Sequence, residues 1–132
     1  MGAFVNMTSE GKQLDSANDH IVIRQRGNGI IGGRTLDMTG FKEPCIRAGH
    51  IVIQSTEDET IFKPMPVSDG NYTSLPERYR YAGVVVATKT ADNAQVAIMY
   101  NGEVNDKASP YPVDSIKVAL KAELPGLVFM HD

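Results

Sequence analysis

The sequence predicts a mostly β, α+β domain with one short helix near its C-terminus, preceded by an extended N-terminal arm. Three observations carry this. Short β-branched runs separated by turn residues recur from Phe41 onwards. Helical spacing occurs once, late in the chain, at Val113, Ile116, Leu120 and Leu124. The first 40 residues hold six of the twelve glycines before Gly40, and few apolar side chains apart from His20-Ile21-Val22-Ile23.

That first segment buries little by itself, and its charges cancel. Residues 1–40 therefore read as an arm ordered mainly by a partner, and 41–132 as the folded body. Within the body, Cys45 to Ile53 reads as strand, with Gly49 marking a bulge or turn. Ser55 to Glu59 is a polar turn. Ile61 to Val67 is apolar, but Pro64 and Pro66 restrict it to an edge. Asp69-Gly70-Asn71 is a turn, and Ser74 to Arg80 a polar loop. Tyr81 to Thr88 and Gln95 to Tyr100 form the strongest strand pair, with Asn101-Gly102 as a further tight turn. Asp114 suits the start of the helix, Pro125-Gly126 ends it, and Leu127 to Met130 is a closing strand.

Composition narrows the function. At 132 residues the chain fits one domain. A net charge of −3 argues against a nucleic-acid partner, which selects a basic footprint. The single cysteine, Cys45, excludes an intrachain disulfide. No signal-peptide core and no apolar run of transmembrane length occur, so synthesis in a cytoplasm without a membrane anchor is expected.

Candidate chemistry is sparse. Gly27 to Gly32 matches G-x-G-x-x-G, but dinucleotide binding needs a helix directly after the loop, and Gly32-Gly33 and Gly40 leave no room for one. His20, His50 and His131 lack metal-ligand spacing. Cys45 and His50, five apart on one strand, fall on opposite faces, so the reading is a buried thiol and a packed histidine. No catalytic, cofactor or metal residue is assigned, and the chain is expected not to be an enzyme.

Two groups point to partners instead. Tyr72, Arg78, Tyr79, Arg80 and Tyr81 concentrate aromatics and arginines in one stretch. It is either an interface loop or an ordinary loop whose rings fold onto the core. In the arm, Ile21-Val22-Ile23, followed by Arg24 and Arg26, is the candidate for adding a strand to a neighbouring sheet edge.

Three stretches carry a resemblance. They are Ile46-Arg47-Ala48-Gly49-His50-Ile51-Val52, Tyr81-Ala82-Gly83-Val84-Val85-Val86-Ala87 and Val96 to Asn105, and the helix and closing strand follow in the same order. Together they resemble the head decoration, or capsid cement, proteins of tailed phages of the lambda decoration-protein type, and the related head-fibre proteins. The resemblance spans about two-thirds of the chain and rests on patterns of small and apolar residues. It implies a small β-tulip-like barrel with one helix. It also implies a virion protein on the capsid exterior that binds the major capsid protein, often as a trimer, and stabilises the expanded head. The alternatives are a head-fibre protein or fibre anchor touching host surface glycans, and a small enzyme, for which no spacing provides a site.

Overall fold

The computed structural model describes residues 17–131. Strand accounts for 35% of the chain and helix for 12%, so strand pairing sets the frame: a curled half-barrel sheet with one short C-terminal helix. In chain order the elements are α1 (Asp19–Val22), β1 (Ile23–Arg26), β2 (Arg34–Thr35), β3 (Cys45–Ile46), β4 (Ile51–Ser55), β5 (Phe62–Pro64), β6 (Val67–Ser68) and β7 (Asn71–Tyr72). There follow β8 (Tyr79–Val85), β9 (Lys89–Thr90), β10 (Gln95–Val96), β11 (Ile98–Met99), β12 (Gly102–Val104), α2 (Lys117–Glu123) and β13 (Leu127–Phe129).

The centre is a four-stranded sheet in the order β11-β8-β4-β5. Its two middle strands are covered on both faces. Ile51, Ile53, Tyr81 and Val84 join one apolar cluster with Met99, Val104, Leu120 and Leu127. Val52 and Val85 join another with Leu36, Ile46, Phe62, Val96 and Ile98. Strand side chains alternate faces, so a strand buried on both sides reads as a continuous apolar run, as Val84-Val85-Val86 does. The register steps from Val52↔Gly83 to Ile53↔Tyr81, which leaves Ala82 as an extra residue in β8. That bulge resets the alternation and puts Tyr81 and Val84 into the same cluster.

Other expected elements appear in place. β8 pairs antiparallel with β11. β5, which ends at Pro64, is the sheet edge. Asp69 and Gly70 both take positive φ in the turn joining β6 to β7. β13 closes the fold parallel to β12. The helix starts only at Lys117, so Asp114 lies before it, but Val113, Ile116 and Leu120 bury the expected stripe.

Several expectations are corrected. The boundary at residue 40 is misplaced, because residues 19–37 belong to the body. β1 is a full member of a three-stranded sheet, β1-β12-β13, β2 pairs with β10, and Leu36 is buried. Ile21-Val22-Ile23 is not a free strand. Ile21 and Val22 close the single turn of α1, Ile23 begins β1, and Val22 and Ile23 are buried. Gly49 explains how Val22 enters: its φ is +93°, and a Cβ there would sit 2.5 Å from Val22 Cγ1. The same glycine breaks the strand expected from Cys45 to Ile53 into β3 and β4. Asn101-Gly102 is not a hairpin turn, since Gly102 opens β12, which pairs with β1 and β13 and not with β11. Residues 1–16 of the expected arm lie outside the described residues.

Candidate interaction site

The sequence-selected residues of the N-terminal segment are built into the body. Asp19 grips Thr88 with both carboxylate oxygens: Oδ2 accepts the Thr88 backbone N–H at 2.8 Å and Oδ1 accepts its hydroxyl at 2.6 Å. Thr88 Oγ1 in turn accepts the Ala48 N–H at 3.1 Å. This part-buried clip anchors α1 to the corner after β8. Beyond it, Arg24 pairs with Glu103 at 3.0 Å across the β1–β12 ladder. Arg26 is exposed and borders an open cleft of about 640 Å³ that also takes in Lys89 and Ile31, the latter 94% exposed. Gly27 and Gly29 are explained by close approach, not by a phosphate. A side chain at either would run into the carbonyl of Asn101 or Ile98.

The group from Tyr72 to Arg80 is divided by the structure. Tyr72 is buried, and its hydroxyl accepts the Ile51 N–H at 3.2 Å. Burial holds its phenol well above the ordinary tyrosine range. It is a core residue and not an interface residue. Tyr79 and Arg80 lie in β8 rather than in the expected loop. Arg80 is fixed by Gln54 (2.9 Å) and Glu59 (3.3 Å), and Lys63 Nζ lies 4.6 Å from the Tyr79 ring centroid. Arg78 takes φ +65°, and its carbonyl accepts both the N–H and the hydroxyl of Thr56. Its guanidinium faces Glu57 at 3.3 Å on the surface. Arg78 and Arg80 are thus exposed parts of one polar ridge, while the rings beside them turn inward.

His50 is packed in the interior, as the sequence leads one to expect. Its ring meets Phe41, Tyr72 and Tyr111 edge-on, with centroids 5.5–5.7 Å apart. Nε2–H donates to the Met65 carbonyl at 3.1 Å, which fixes the neutral tautomer. Burial, opposed only partly by that hydrogen bond, pulls its pKa down to about 4. Phe41, Met65 and Tyr111 also line an open cleft of about 630 Å³ between the 37–43 loop and the β6–β7 turn. Cys45 is buried, and it borders the same cavity of about 30 Å³ as His50. The two residues are separated by the turn at Gly49 and do not lie on two faces of one strand.

No protein-family model, curated protein or solved structure matches the chain. The site must therefore be read from its own chemistry. Among the described residues, no group of three or more His, Cys, Asp or Glu side chains is placed to hold a metal ion, and no helix is long and apolar enough to cross a membrane. What the surface does offer is apolar. Val118 of α2 is 87% exposed, and Val128 and Met130, in and just after β13, are 41% and 48% exposed. Sequence reading missed these exposed side chains because Val118 sits between Ile116 and Leu120, which face inward, and Val128 alternates with buried Leu127.

Proposed function

We propose that this chain is a structural virion protein that decorates the outer surface of a tailed-phage capsid. It binds the major capsid protein and stabilises the expanded head, as a homo-oligomer of which a trimer is the favoured form. The observation that carries the reading is the presence of exposed apolar side chains, Val118 in α2 and Val128 and Met130 in and just after β13, on a small half-barrel most of whose large apolar side chains are buried. Exposed apolar side chains mark a surface for a large partner where they gather into one patch. The mostly β architecture with one late helix agrees with what the sequence resemblance implies. A ligand that binds only the expanded shell adds stability at every site it fills, by mass action.

The test is cosedimentation of the full chain with empty heads of the cognate major capsid protein, expanded and unexpanded. Saturable binding to expanded heads alone is expected, and Val118→Asp with Met130→Asp should reduce it. Absence of binding to expanded heads refutes the proposal. Light scattering of the free protein decides between monomer and trimer. The correction to the N-terminal boundary alters the truncation experiment. Removing residues 1–40 would strip β1, β2 and Leu36 from the body, so only a cut before Ala17 asks whether the preceding residues bind the capsid.

A further inference from the structure

A third open groove lies where β4, β5 and β8 of the central sheet meet the turn after α2, and its chemistry differs from that of the exposed apolar side chains. Ala82 of β8 lies in its lining. Tyr100 and Asn101, between β11 and β12, and the turn after α2 from Glu123 to Gly126 also line it. Gln54, Glu59, Arg80 and Arg34 complete it, and its volume is about 770 Å³. That size is ordinary for a ligand site.

We propose that this groove binds a neutral oligosaccharide. A sugar ring presents an apolar C–H face and a rim of hydroxyls, each both donor and acceptor. The matching surface is an exposed aromatic ring flanked by planar groups that offer donors and acceptors together. Tyr100 is 43% exposed, and Asn101 beside it makes no side-chain hydrogen bond to another described residue. A Cβ at Gly126 would lie 3.0 Å from Asn101 Nδ2, so the absence of a side chain there lets the amide pack against the turn. Across the groove the polar groups are already aligned. Arg80 Nε donates to Gln54 Oε1 at 2.9 Å, and Gln54 Nε2 donates to the Glu59 carbonyl at 2.8 Å. Glu123 is held through one oxygen by the Tyr81 N–H at 3.1 Å. Groups fixed before binding lose little freedom when a ligand arrives.

Charge and topology select among ligands. Arg34 and Arg80 balance Glu59 and Glu123, which favours a neutral ligand over a nucleic acid or another polyanion. A peptide adding as a strand needs an unpaired sheet edge. Gln54 pairs with Phe62 on one side and Arg80 on the other, and beyond Arg80 the Tyr81 N–H of β8 is already taken by the Glu123 carboxylate. The inference does not rest on the capsid reading, because the isolated protein is sufficient to test it.

The experiment is a glycan array probed with the full chain. It carries neutral gluco-, manno-, galacto- and N-acetylglucosamine oligosaccharides beside sialylated and sulfated ones, and calorimetry follows on any neutral glycan bound. Binding to at least one neutral oligosaccharide is expected. Its Kd should weaken about tenfold in Tyr100→Ala and in Asn101→Ala, and stay unchanged in Lys107→Ala, an exposed residue outside the groove. Silence across all neutral glycans, binding confined to acidic ones, or an unchanged Kd in both groove variants overturns the proposal.

Discussion

Lowering the pH should destabilise this fold through His50 before its carboxylates begin to titrate. The ring is buried among Phe41, Tyr72 and Tyr111, and its one hydrogen bond is donated to a carbonyl, so the folded protein keeps it neutral with a pKa of about 4. In the unfolded chain the imidazole returns to about 6.5. The folded pKa is the lower of the two, so the unfolded state binds the proton more readily. The contribution is fully present above about pH 6.5 and is lost as pH falls through about 4. At about pH 5 the unfolded state gains a proton-binding factor of roughly 30, or about 2 kcal/mol, approaching about 3 kcal/mol near pH 4. Urea unfolding of the full chain, followed by circular dichroism from about pH 7.5 to about pH 5, measures this loss. In His50→Phe, which keeps a ring but carries no titratable group, the slope across that window should largely vanish. An equal loss in wild type and variant would refute the reasoning. Asp37, held below its ordinary pKa by hydrogen bonds from Thr39, stays charged through this window, and its own stabilising effect is lost only at more acid pH.

Three further predictions concern packing. Thr88→Val removes the hydroxyl that joins Asp19 to the Ala48 N–H; it should cost about 1–3 kcal/mol and speed amide exchange in residues 19–26 above the rest of the sheet. Gly49→Ala forces a Cβ into Val22 at a positive φ, and a loss of about 2 kcal/mol or more in urea unfolding is expected. Leu120→Ala opens a cavity where α2 meets the larger cluster and should cost about 2–5 kcal/mol, read from the denaturant midpoint at unchanged slope.

The body was legible in the sequence wherever a strand's own residues determine its burial. β8 and β11 show as apolar runs because both faces are covered, and β5 shows as an edge because Pro64 has no N–H to donate. β1 was not legible, because Ile23-Arg24-Gln25-Arg26 buries only its first side chain. Its place comes from β12, nearly eighty residues away, and no local pattern records a partner at that distance. Tyr72 was misread for the opposite reason: its neighbours are polar turn residues, while its ring points into the core. The groove beside Tyr100 combines residues from separate stretches of the chain, so no spacing betrays it.

The pairing of β1 with β12 also has a consequence for how the chain is made. Val22 and Ile23 leave the ribosome well before Val104, the residue opposite Ile23 in the ladder. At ordinary synthesis speeds the N-terminal strand waits roughly 4–16 s for its partner. Throughout that interval two apolar side chains stand next to an unpaired strand edge. Arg24 and Arg26, exposed in the finished fold, give that waiting strand the charge that discourages it from pairing with another nascent copy.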